Sequence, residues 1–158
     1  MTETKITARY HSPVGEIILV SDGKALTELH FTQDRLQNFP NTQESPVFTE
    51  TCHWLDLYFS GVKPDFTPPL NLQGTPFQQK VWQELLTIPY GQTTTYGAIA
   101  KRINCRSAQA IGQAIHRNPI AIIIPCHRVI GADGSLTGYA AGLEIKQQLL
   151  TIENKHHR

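Results

Sequence analysis

Cys126, His127 and Arg128 stand side by side behind the apolar run Ile122, Ile123, Ile124 and Pro125, and the chain turns apolar again at Val129 and Ile130. A free thiol has a pKa of about 8.5 and is mostly protonated at neutral pH, so a nearby base or cation is what makes it a nucleophile. An imidazole and a guanidinium next to Cys126 supply both. The β-branched run reads as a buried strand that delivers the cysteine from its end. Neighbouring side chains on an extended strand face opposite ways, so a bridging water or a bend after Cys126 is expected to link it to His127. The plainer alternative is that Cys126 is one more small buried hydrophobe, as most free cysteines are.

Other chemistries find less support. Cys52, Cys105 and Cys126 are an odd number without repeating spacing, which argues against a disulfide framework and for a reducing, cytoplasmic compartment. There is no CxxC pair, and His30, His53 and the terminal His156 and His157 have no matching ligand pattern, so no structural zinc is expected. No apolar run approaches membrane-spanning length, and the segment after Met1 lacks the apolar core of a secretion signal. The formal charge of +1 hides an asymmetry. Met1 to Gly74 carries five Lys and Arg against nine Asp and Glu, a balance of −4, while Thr75 to Arg158 carries nine against four, a balance of +5. The second half is therefore the one to meet a polyanion.

The elements that would position these residues fall into two parts, in a chain long enough for one ordinary domain or two small ones. In the first, residues 5–10, 16–21 and 25–30 have strand-like content, broken at 12–15 and 21–24, and Trp54, Leu55, Tyr58 and Phe59 mark one face of a helix over 47–59. Cys52 and His53 sit in that helix as packing residues, and the unit reads as a scaffold over 1–62. Four prolines between Pro64 and Pro76 then predict an extended connector over 63–74. The second part, 75–158, opens with a capping hydroxyl and a proline at Thr75 and Pro76. A helix with Phe77, Val81, Trp82 and Leu85 on one face follows, then a turn at Tyr90 and Gly91. A short helix over 97–103, a polar turn at Asn104, Cys105 and Arg106, and a helix from Ser107 to Arg117 make a helix-turn-helix. Gly112 costs that last helix up to about 1 kcal/mol against alanine, so its small residues should let the helix lie close to a surface, either DNA or the neighbouring core. The fold class is α/β: a small α/β N-terminal domain followed by a mainly helical, winged-helix-like C-terminal domain.

With Asn118 and Pro119 ahead of the Pro125, Cys126, His127, Arg128 signature, the second part resembles the 6-O-alkylguanine-DNA alkyltransferases, or methylated-DNA–protein-cysteine methyltransferases. The resemblance also takes in Thr75 to Phe77, Tyr96 and Gly97, Gly138 and Tyr139, Gly142 and Leu143, Lys146, Leu149 and Leu150, and Glu153. It implies a protein that binds duplex DNA through the minor groove and rotates an alkylated guanine out of the stack. The alkyl group of 6-O-methylguanine, or of 4-O-methylthymine, would move to Cys126. His127 matches the imidazole that takes the thiol proton through water, and Glu153 the carboxylate that orients it. Asn118 matches the residue holding the preceding turn. Tyr96 matches the tyrosine whose hydroxyl donates to the departing guanine, and Val129 and Tyr139 would line the base pocket. Ser107, Gln109, Gly112 and Arg117 would face DNA, while Pro125 and Arg128 would be structural, Arg128 by pairing with a carboxylate. No cofactor and no metal are implied, each molecule reacts once, and the protein is a monomer in solution with cooperativity on DNA left open.

The sequence departs from that family at Gln109, where most members carry the arginine that fills the gap left by the flipped nucleotide. Glutamine lacks the charge and stacks less well, and Arg106 or Arg117 would compensate by contacting phosphate. Ala121, Ala140 and Ala141 fall where other members can have proline, serine and glycine, and the last two, at the pocket edge, lead us to expect poorer acceptance of bulky alkyl groups than of methyl. Three rivals differ in kind. Lesion-binding relatives without transfer lack the cysteine, a plain helix-turn-helix regulator has no use for the signature, and a Cys-His hydrolase brings its pair together from distant segments around an oxyanion hole.

Overall fold

The computed structural model describes residues 5–32, 44–136, 138–139 and 141–155; Ala140, His156 and His157 lie outside them. The chain divides into two compact units, residues 1–72 and 73–158.

In the first unit an antiparallel sheet of β1 (Ile6–Ser12), β2 (Gly15–Ser21) and β3 (Leu26–Thr32) runs in the order β1-β2-β3. The central strand is apolar on both faces, and Ile17, Ile18, Leu19 and Val20 are all buried, which explains its unbroken hydrophobic run. The β2–β3 turn is an Asx-type turn. Asp22 Oδ1 accepts from the backbone of Lys24 at 2.9 Å and Ala25 at 2.8 Å, and Gly23 takes the left-handed φ of +98° that the turn demands. Helix α1 (Pro46–Phe59) buries Val47, Phe48, Trp54, Leu55 and Tyr58. The proline-rich segment is irregular, as its prolines dictate, and its end belongs to this unit: Leu26 donates to the Pro69 carbonyl and Asn71 to that of Leu26.

In the second unit each of the first three helices starts on a side-chain cap. Thr75 and Gln78 form a reciprocal capping box at α2 (Pro76–Leu85). Thr95 caps α3 (Tyr96–Arg102), and Ser107 caps α4 (Ala108–His116). Between α3 and α4, Asn104 takes a φ of +60°. Cys105 N–H reaches back to the Ala100 carbonyl and Asn104 N–H to that of Lys101, a Schellman turn that closes α3. Helix α4 buries Ile111, Ala114 and Ile115, and the indole N–H of buried Trp82 in α2 donates to the Ala114 carbonyl at 2.9 Å. A Cβ added at Gly112 would meet nothing within 4 Å. Of the two expectations for that glycine, close packing on the neighbouring core is therefore excluded. The two-residue strands β4 (Thr94–Thr95) and β5 (Val129–Ile130) pair in parallel, and α5 (Leu143–Lys155) ends the described chain. No helix among the described residues is long and apolar enough to cross a membrane.

The expected strand into Cys126 is corrected. Residues 121–124 form turns, with Ile122 at a φ of +69°, an outlier for a β-branched residue. Cys126–Arg128 is a single 3-10 turn. Its apolar residues remain buried, but its backbone closes on itself in local turn bonds, Ile123 N–H to Ala121, Ile124 N–H to Ile120 and Cys126 N–H to Ile124, braced by one side chain. Asn118 Oδ1 accepts from Ile120 N–H at 2.9 Å, and its Nδ2 donates to the Ile124 carbonyl at 2.8 Å. Local propensity for extended structure yields to that tertiary arrangement.

Candidate active site

The 3-10 turn gathers the signature. Cys126, His127 and Arg128 are all buried, so the rule that adjacent strand residues face apart no longer governs them. The Cys126 sulfur lies within reach of the Asn118 side chain, its own backbone N–H and that of His127. Burial pushes the thiol pKa up. Those donors and the charge of Lys146 act in the opposite direction, favouring the thiolate.

His127 is fully buried, and its Nε2 lies 2.5 Å from Glu153 Oε2. Glu153 is itself enclosed on α5. Its other oxygen accepts from Arg128 Nε at 2.8 Å and from Gly91 N–H at 3.1 Å. Burial raises the carboxyl pKa, but the hydrogen bond and charge of His127 and the Arg128 guanidinium more than reverse this and hold it well below the usual carboxylate range. Burial lowers the His127 pKa despite the attraction of Glu153. The state that satisfies both directions is a neutral imidazole donating from Nε2 to an ionised Glu153. Nδ1 then carries the lone pair that can take a proton.

Arg128 is fixed at its other end too. Nη1 donates to the Ile88 carbonyl at 2.8 Å, and the guanidinium lies 5.7 Å from the centre of the Tyr90 ring. The Ile88–Gly91 turn is thus tied to the carboxylate through both Arg128 and the Gly91 backbone. Tyr139 sets its buried hydroxyl against the Cys126 sulfur, and burial followed by the charges of Cys126 and Glu153 drives the phenol pKa well up. Val129 and Pro125 are buried beside the turn. Tyr96 is half-buried at the start of α3. The β4–β5 ladder, pairing Thr95 with Ile130, fixes its backbone relative to the signature.

The residues expected to face DNA are not gathered around the thiol. Ser107 accepts from Ala110 N–H as the α4 cap, and Gln109 and Arg117 are exposed on the same helix. Two participants were given no role in the site by the sequence reading. Gly91 contributes only a backbone N–H, which leaves no side-chain signal. Lys146 did leave one: with Leu150 and Glu153 it shares the i, i+4, i+7 face of α5, and a lysine on a buried helix stripe is unusual. It is fully buried, and Nζ donates to the Val129 carbonyl at 2.6 Å.

Taken together, one buried turn holds a thiol and a neutral imidazole, the imidazole bonded to a doubly anchored carboxylate, groups of the kind that activate a sulfur nucleophile. Two family models match the chain. The 6-O-methylguanine DNA methyltransferase ribonuclease-like domain covers residues 6–72, and the 6-O-methylguanine DNA methyltransferase DNA binding domain covers residues 76–155. A methylated-DNA–protein-cysteine methyltransferase of Methanosarcina mazei is 49% identical, over 93% of this chain and 98% of that protein. The protein of the same name from Mycobacterium leprae is 48% identical, over 92% and 89%. Among solved structures, the Mycobacterium tuberculosis 6-O-methylguanine methyltransferase superimposes with a TM-score of 0.86 at 41% identity, over 98% of this chain and 96% of that one. The same organism's OGT in complex with DNA gives 0.85 at 43% identity, over 95% and 93%. By both its halves and nearly its whole length, the chain belongs to the 6-O-methylguanine DNA methyltransferase family.

Proposed function

We propose that this protein repairs DNA by direct reversal, moving the alkyl group of 6-O-methylguanine in a duplex onto Cys126 in a single irreversible turnover. The observation that carries the reading is the buried pairing of Glu153 with His127, which shares a 3-10 turn with the buried Cys126 thiol, the carboxylate being held ionised by Arg128 and Gly91. The thiol proton passes to His127 Nδ1 through a water, and Glu153 balances the imidazolium without taking the proton itself. The thiolate attacks the alkyl carbon; the carbon–sulfur bond forms as the carbon–oxygen bond breaks.

The departing guanine needs a proton donor, since its bare anion is a poor leaving group. The Tyr96 hydroxyl fills that role, the proton held on His127 returning to the phenolate through solvent, and Val129 and Tyr139 line the pocket for the extruded base. Asn118 keeps the turn, and with it the sulfur, in place. Extruding the base costs a few kcal/mol of unstacking, supplied by contacts along the minor groove from Ser107, Gln109, Gly112 and Arg117. The product is a thioether, stable to water, so the protein is consumed stoichiometrically. The same chemistry extends to 4-O-methylthymine.

Incubation with a duplex carrying one 6-O-methylguanine, followed by intact mass and a tryptic digest, tests this directly. One methyl group on the Cys126 peptide, with guanine restored in the DNA, is the expected result. Tight binding without a mass change would replace the reading with that of a lesion sensor.

A further inference from the structure

Lys146 has no part in the mechanism just given, yet it is among the largest fully buried side chains of the protein. Taking an ammonium out of water is expensive unless nearby charges and hydrogen bonds compensate. Part of the compensation is the Val129 carbonyl, 2.6 Å from Nζ, and Val129 directly follows the turn that carries the thiol. A second part appears only when Cys126, one turn away from that carbonyl, ionises. Burial lowers the Lys146 pKa, and negative charge on the sulfur raises it again. The coupling is mutual, because the ammonium in turn favours the thiolate.

The other groups facing the sulfur do not supply this charge. His127, from the same turn, is neutral at rest, and Asn118 and the two backbone N–H groups are dipoles. Tyr139 brings a neutral hydroxyl from the preceding loop, and Glu153, on α5 with Lys146, is an anion. The Arg128 guanidinium is directed at Glu153 and the Ile88 carbonyl.

We propose that Lys146, anchored on the Val129 carbonyl, is the buried counter-ion of the Cys126 thiolate and so sets the nucleophilicity of the alkyl acceptor. The proposal rests on Cys126 being that acceptor. Lys146 keeps all its protons throughout: the thiol proton goes to His127, and the ammonium balances the charge left on sulfur until the carbon–sulfur bond removes it.

The test uses the full chain without DNA. Iodoacetamide labelling of Cys126, located by peptide mass so that Cys52 and Cys105 are read separately, is followed against pH in wild type, Lys146→Met and Lys146→Arg. The Met variant should move the midpoint for Cys126 up by about one unit or more, while the Arg variant keeps the wild-type profile. Methyl transfer by Lys146→Met should be several-fold slower at neutral pH and recover at higher pH, which loss of packing alone would not produce. Should the Met variant fail to fold, Lys146→Gln, which keeps a donor for Val129 but no charge, is read in the same way. An unchanged midpoint in a folded, uncharged variant overturns the role of Lys146 and leaves the acceptor assignment standing. Failure of wild-type Cys126 to gain a methyl group overturns the assignment itself, whatever the labelling profile.

Discussion

Arg128 and Glu153 meet 2.8 Å apart in the interior, with side chains 9% and 1% exposed. The pair is not an isolated ion bridge, because the same carboxylate oxygen accepts from Gly91 N–H and the other faces His127. Removing one member of a buried pair strands the other's charge, at about 3–5 kcal/mol. Arg128→Met should therefore destabilise the protein by that order, and combining it with Glu153→Gln should cost clearly less than the two single losses added. Denaturant unfolding measures all three variants. Simple additivity would mean that the two side chains are energetically independent.

Stability should decline on acidification in two stages. The folded-state pKa of His127 lies below its ordinary 6.5 and that of Glu153 below its ordinary 4.5. In both cases the unfolded chain takes up the proton first as pH falls, so each contribution is fully present above the unfolded value and is lost below it. Thermal midpoints should begin to drop below about pH 6.5 and fall further below 4.5. His127→Asn should abolish the upper stage. A variant retaining the same decline between pH 7 and 5 would assign that stage elsewhere.

Cys126→Ser should end methyl transfer while leaving affinity for methylated duplex close to that of wild type, because the hydroxyl is nearly isosteric but far less nucleophilic. Mass spectrometry and a binding titration read the two halves of the statement separately. Methyl gained by the serine variant would move the acceptor to another residue.

Gly112→Ala separates folding from binding. Its Cβ would enter open space, so the substitution should stabilise α4 by up to about 1 kcal/mol. If α4 lies against DNA, the same methyl group should weaken duplex binding several-fold. A stabilised variant with undiminished affinity would take Gly112 off the DNA-facing surface.

Gln109→Arg should tighten duplex binding, and the slope of log affinity against log salt should steepen by up to about 0.9, the increment for one additional phosphate contact. Fluorescence anisotropy across a salt series provides both quantities. Unaltered affinity and slope would show that position 109 does not approach the backbone.

Much of this architecture was legible in local chemistry. Thr75 with Pro76 and Ser107 before an alanine-rich stretch announce helix starts because capping is a short-range hydrogen bond. Asp22 with Gly23 announces a hairpin for the same reason. The segment before Cys126 misled because β-branched residues prefer extended structure. The decisive interaction there is the Asn118 side chain bridging Ile120 and Ile124, and nothing in isoleucine itself encodes it. Glu153 was legible only through the family pattern. Its partners on the Ile88–Gly91 turn lie more than sixty residues away in sequence, and a backbone donor has no residue signature.

The bond from the Trp82 indole to the Ala114 carbonyl has a practical consequence. Indole emission responds to hydrogen bonding and local polarity, so a chromophore in α2 senses the main chain of α4. The chain's other tryptophan, Trp54, belongs to α1 of the first unit. Replacing it with phenylalanine leaves a single tryptophan, excitable apart from the five tyrosines, wired to the helix expected to meet DNA. Docking on a duplex would then be visible optically, in real time and without a label.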